Sequence, residues 1–203
     1  MLGLINAVIW IKTIMKAVAS IAVILVLAVA EPPLSWASDA QEPDGLWSGP
    51  MKGETPATLT GAEVIDLKAL ETLLPEKPVL VDVGPADKKP DDFPADRLWL
   101  PTHRSVPGAV WFPGGGAAKF EPSQEEAFFL RMEELTQGDK SKPIVTFCRP
   151  NCWGSWNIAK RLVMNGYDSV HWFPGGINSW QDAHNTVEVE PDAVWLGNAA
   201  KSK

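Results

Sequence analysis

The sequence predicts an α/β fold: a parallel sheet flanked by helices on both faces. Three observations point there. "VLVDVG", "KPIVTF" and "SVHWF" are short, continuous runs of apolar and β-branched residues, the pattern of strands buried on both sides. The segments between them repeat apolar residues at helical spacing. Both cysteines of the chain lie just after one of these runs, where such sheets place their ligand sites.

Taken in order, residues 1–37 have the plan of a secretory signal peptide. Lys12 and Lys16 precede the apolar run Ala17–Ala30, and Ser35-Trp36-Ala37 offers a cleavage site. The run is about 14 residues, against the ~20 needed to span a bilayer. The apolar string "MLGLINAVIWI" ahead of the lysines points to Met15 as the start of a compact signal; an uncleaved anchor is the alternative. Residues 38–60, rich in Pro, Gly and Ser, read as an extended arm anchored by Trp47.

The main domain is expected over 61–183. "AEVIDLKALETLL" places Val64, Leu67, Leu70, Leu73 and Leu74 on a helical stripe, and "VLVDVG" follows as a strand ending at Asp82. Residues 84–105 are polar and Pro-rich and read as a long loop, a frequent carrier of function. "VPGAVWFPGGG" is a short strand closed by glycines. "SQEEAFFLRMEELT" opens on a capping box, Ser123 with Glu126, and carries a stripe of Phe128, Phe129, Met132 and Leu135. After "KPIVTF", "WGSWNIAKRLVMNGY" has Trp156, Ala159, Leu162 and Val163 on one helical face and stops at Asn165-Gly166. "SVHWF" and "PGGINSW" complete the domain, and 184–203 is expected as a C-terminal tail.

Charge narrows the function classes. The chain carries 18 basic and 25 acidic side chains, net −7, and signal removal, with Lys12, Lys16 and Glu31, takes this to −8. An acidic surface without a basic cluster repels nucleic acid and anionic lipid. A soluble exported protein with no further membrane span is the expectation, and two cysteines in an oxidising compartment are usually paired.

The stretch "FCRPNCWGSWNIAKRL" leaves three roles open for Cys148 and Cys152: a staple, a metal clip or a reaction centre. A strand-to-helix loop turns backbone amides inward, and a helix N-terminus adds about half a positive charge, so a thiolate or persulfide at Cys148 is favoured. Arg149 adds a cation beside it. Cys152, four residues on, lies about 6 Å away Cα to Cα, inside the disulfide window. So small a loop gives little entropic stabilisation and a readily reduced bond, which favours a redox or sulfur-handling pair over a staple. For a metal, zinc would draw on His103, His171 or His184, whereas copper(I) could take the two thiolates alone; the spacing does not fit haem attachment. No metal and no cofactor is expected. Of the domain's tryptophans (Trp99, Trp111, Trp153, Trp156, Trp172, Trp180), Trp153 is the one expected at the site mouth. Asp82 is a candidate supporting carboxylate.

The order "VLVDVG", "RSVPGAVWFP", "IVTFCRPNCW", "GYDSVHWFPGGINSWQ" resembles a rhodanese domain over Gly61 to Ala183. That resemblance implies a six-residue active loop in which Cys148 carries sulfane sulfur as a persulfide, Arg149, Pro150, Asn151 and Trp153 bind substrate, and Asp82 and Arg104 support the loop. A glycine and an arginine usual at the fourth and sixth loop places are Asn151 and Trp153 here; Pro150 removes one amide donor. Gly84 and Ser105 replace an arginine and a histidine usual elsewhere, which puts thiosulfate, a dianion, in question as donor. "ETPATLTGA", "WLPTHRSVPGAVWFP" and "CWGSWNIAKRL" are similar to exported CXXCW-motif proteins associated with catabolism dependent on pyrroloquinoline quinone (PQQ). This implies a periplasmic setting beside a quinoprotein alcohol dehydrogenase system, with a small sulfur compound or a thiol protein as partner. A non-catalytic accessory module for that dehydrogenase or its electron acceptor is the alternative, and a copper or haem-related chaperone the third.

Overall fold

A computed structural model describes residues 39–97 and 101–199. The expected signal peptide and Trp99 lie outside the described residues. Five strands form a parallel sheet in the order β1-β6-β5-β2-β4: β1 Glu63–Val64, β2 Val79–Asp82, β4 Val110–Trp111, β5 Ile144–Phe147 and β6 Val170–Phe173. The central strands β2 and β5 are buried at every position, as their unbroken apolar runs require.

Alternating side chains feed two cores. Val79, Val81, Ile144, Val170 and Trp172 face one side, where α2 (Pro122–Thr136), α3 (Trp153–Met164) and α5 (Ala193–Ala199) cover them with Phe128, Met132, Trp156, Leu162 and Trp195. Leu80, Val145, Phe147 and Phe173 face the other, against Leu70 of α1 (Leu67–Leu73) and Trp180 of α4 (Gly176–Gln181). The sheet is therefore covered on both faces, as the sequence predicts.

Four local expectations differ from the structure. Val64 belongs to an edge strand paired with Trp172, not to the helical stripe, because the Asp66 side chain caps the helix by accepting from the Ala69 amide at 2.8 Å. The Ser123–Glu126 capping box does not form: Pro122 takes the first helical position, so the helix begins two residues earlier, with Glu121 as its cap and no side-chain cap bond. The long loop ends in a strand, β3 His103–Ser105, paired antiparallel with β7 Val187–Val189. The expected tail thus supplies a strand, and α5 buries Trp195 to 2 % exposure among Phe112, Phe120 and Phe128.

Trp47 stacks on Trp153 at 4.3 Å, and its backbone N–H and C=O are both held by the buried Asn157 side chain. Lys52 then pairs antiparallel with Cys152, with Trp153 N–H donating to Met51 O (2.8 Å) and Gly53 N–H to Asn151 O (3.0 Å). The arm is a strap across the loop that carries the cysteines.

Candidate active site

The sheet ends at Phe147, and α3 begins at Trp153, so Cys148–Cys152 is the loop between them. Its fourth place, Asn151, adopts φ 57°. Asparagine is the side chain that best tolerates this left-handed conformation after glycine, so the departure from the usual loop glycine keeps the same backbone path. Gly176, at φ 52°, packs against the Cys148 carbonyl where any Cβ would collide, and Ile177 N–H donates to that carbonyl at 2.8 Å. Gly116 touches the backbone of Gly154 just as closely. Both ends of the loop are held without side chains between.

Both cysteines are free thiols. Cys148 is 2 % exposed; Cys152 is half-buried and is the N-cap residue of α3. The ionisation of the two sulfurs is coupled, Cys152 being lowered by Cys148 and Cys148 raised by Cys152. The negative charge settles on Cys152. The Cys148 S–H donates to it, and the amides of Ser155, Gly154 and Arg149 add to the effect against the cost of burial, lowering its pKa to about 6. Cys148 is pushed up by its bond to Cys152, by burial and by the negative charges of Cys152 and Asp82, opposed only by the Arg149 amide.

The seat of charge expected at Cys148 is therefore at Cys152. Unpaired amides belong to the first turn of a helix, and this one starts at Trp153, six residues past the strand end at Phe147 and beside the second cysteine. The Trp153 amide is already spent on Met51 O.

The two sulfurs open into different clefts. Cys148 lines one of about 420 Å³ with Lys88, Asp87, His103 and Arg149. Cys152 lines one of about 140 Å³ walled by Met51, Val83, Pro85 and Ala117, with Arg149 again at the edge. A larger groove, about 890 Å³, follows the outer side of the loop past Pro150, Asn151 and Lys52, and no cysteine lines it. Volume alone would place the site there; the chemistry lies in the smaller two.

The structure brings Cys148, Cys152, Arg149 and Asp82 together and separates others from them. Pro150 is on the outer groove, whereas Asn151 borders both that groove and the Cys152 cleft. Trp153, expected at the mouth, is 3 % exposed beneath Trp47 and lines neither sulfur's cleft. Arg104 points away: its guanidinium donates to the Thr186 hydroxyl (2.8 Å) and carbonyl (2.6 Å), clamping β3 to β7. Asp82 is 1 % exposed and accepts from the Gly84 amide (2.7 Å), the Ser105 hydroxyl (2.6 Å) and His103 Nε2 (2.8 Å).

Sequence reasoning placed His103 only as a loop residue within possible reach. The signal for its position lies in the polar strings "HRS" and "VEV", which are too short to read as partners. The three histidines occupy three separate places, His171 beside Glu63 and His184 against Glu71. Among the described residues no group of three His, Cys, Asp or Glu could hold a metal ion, and no helix is long and apolar enough to cross a membrane.

Comparison with known proteins agrees with this layout. The rhodanese-like domain family matches residues 66–183. A search of curated protein sequences finds no match. Among solved structures, the polysulfide-sulfur transferase homodimer of Wolinella succinogenes is similar at 17% identity, over 63% of this chain and 79% of its own, with a TM-score of 0.39. A human single-domain sulfurtransferase is similar at 20% identity, over 61% of this chain and 99% of its own, with a TM-score of 0.36. Half of the chain and more falls within the family match, and on that ground this chain belongs to the rhodanese-like domain family.

Proposed function

We propose that this protein transfers sulfane sulfur, or exchanges disulfides, through the Cys148/Cys152 pair. The observation that carries the proposal is the placement of both sulfurs on the strand-to-helix loop, Cys148 at the strand end lining one cleft and Cys152 at the helix cap lining another. As the Cys148 sulfur attacks the sulfane sulfur of a polysulfide or thiosulfate in its cleft, the donor's S–S bond breaks, the shortened polysulfide or sulfite leaves, and the Cys148 proton passes to the Cys152 thiolate, which acts as the adjacent base. Lys88 and Arg149 supply positive charge at that cleft for an anionic sulfur compound. The persulfide then has two fates. An acceptor removes its outer sulfur, or Cys152 attacks the Cys148 sulfur, forming the internal disulfide and releasing hydrosulfide.

Export to the periplasm through residues 1–37, and service to a PQQ-dependent alcohol-oxidising system, form the wider part of the proposal. The signal-like pattern and the Trp-rich strings support them, although three residues rather than two separate the cysteines here. An oxidising compartment suits a pair that cycles between dithiol and disulfide.

Intact mass of the purified protein, before and after exposure to inorganic polysulfide or thiosulfate, tests the chemistry. A gain of one sulfur that disappears in Cys148→Ser supports transfer, and a loss of two hydrogens reversed by reductant supports exchange. Neither change would leave the accessory-module reading in its place.

A further inference from the structure

His103 lines the same cleft as Cys148. Its Nε2 lies 2.8 Å from Asp82 Oδ2, its ring stacks on Trp111 at 4.5 Å, and its side chain stays 20 % exposed on the cleft wall. Trp111 is fixed in turn by a 2.7 Å bond from its Nε1 to the Gly84 carbonyl. A carboxylate can only accept, so Nε2 carries the proton of that bond, and Nδ1 is the ring nitrogen left to exchange a proton in the cleft. The β2–β5 register places Asp82 opposite Phe147, one residue before Cys148. Nucleophile, imidazole and orienting carboxylate thus meet around one cavity.

From this geometry we infer that His103, oriented by Asp82, is the acid–base residue that serves thiol acceptors bound over Cys148. The inference rests on the sulfur-transfer reading of the pair. The step balances without any added oxidant or reductant. An acceptor R–SH in the cleft gives its proton to His103 Nδ1. The resulting thiolate attacks the outer sulfur of the Cys148 persulfide, forming R–S–SH and breaking the S–S bond to Cys148. The departing Cys148 thiolate takes the proton back from the imidazolium, which the Asp82 charge stabilises meanwhile. The sulfane sulfur changes carrier, and His103 returns to its starting state.

The groups facing the imidazole are Asp82 from β2, Cys148 and Arg149 from the active loop, and Asp87 and Lys88 from the loop after β2. Arg149 and Lys88 oppose a standing positive charge on His103, and Asp82 and Asp87 favour it.

The class of acceptor makes the inference testable. A thiol must lose a proton to react; sulfite dianion need not. The protein is loaded with inorganic polysulfide and mixed with either a monothiol or sulfite, for wild type, His103→Gln and His103→Asn, across a pH series. The expected result is slowing of transfer to the thiol by about 10²-fold in both variants, with transfer to sulfite unchanged. The penalty should shrink as pH rises through the thiol's own pKa. Unchanged sulfite transfer also shows that the fold is intact. Equal slowing with both acceptors, or none with the thiol, overturns the role of His103 alone. Wild type that passes sulfur to neither acceptor overturns the sulfur-transfer reading, and this inference with it.

Discussion

Asn157→Ala removes the side chain that holds the arm's backbone at Trp47 to the helix beneath it. Asn157 is fully buried, and it accepts from the Trp47 amide (2.8 Å) while donating to the carbonyls of Trp47 (2.9 Å) and Gly116 (2.9 Å). At about 1 kcal/mol net for each hydrogen bond, the loss comes to about 3 kcal/mol if the arm stays in place. For a chain of this size that lowers Tm by about 6–12 °C. If the arm lifts instead, its backbone regains water and the stability loss is smaller, but Lys52 leaves its pairing with Cys152. The two outcomes are read together by a thermal melt and by trypsin cleavage after Lys52, followed by mass. Either a lower Tm or faster cleavage is expected, and the two should trade off. An unchanged melt with Lys52 as resistant as in wild type would refute the view of the arm as a strap held by this amide.

Two further substitutions probe the loop and the C-terminal segment. Asn151→Gly should fold as wild type, whereas Asn151→Val, forced to φ 57°, should cost about 1–2 kcal/mol in denaturant unfolding; equal stability of the two would deny the left-handed loop. Trp195→Ala should cost about 3–5 kcal/mol, since its ring fills a cluster with Phe112, Phe120 and Phe128; a loss under about 1 kcal/mol would show that α5 does not pack into the core.

The sheet was legible because each central strand is a single apolar run, and burial on both faces leaves that signature directly in the sequence. The loop with Cys148 and Cys152 was legible for a related reason: a strand end followed by a helical stripe marks its two boundaries. What escaped notice depends on distant partners. β3 and β7 are three residues each, polar on the surface, and more than eighty positions apart, so neither carries a pattern of its own. His103 looked like a loop residue until that pairing fixed it over Cys148. Trp195 sits in the apolar string Ala193–Leu196, too short to show a period of its own, and only the cluster of rings around it explains its burial. The seat of the charge was misplaced by four residues. Periodicity identifies the helix but does not say which of two cysteines becomes its cap, and the cap decides which sulfur meets the amides.

The most direct test is an ultraviolet titration of thiolate absorbance on the reduced protein. The account predicts a single thiolate with a midpoint at about pH 6, protonated and unreactive below it, charged and reactive above it. Cys152→Ser should abolish this step, and Cys148→Ala, by removing the donor to it, should move the midpoint upward toward the free-thiol value of about 8.5. A midpoint near 8.5 in the wild-type protein, or a low midpoint that survives Cys152→Ser, would contradict the coupled ionisation on which the proposed chemistry rests.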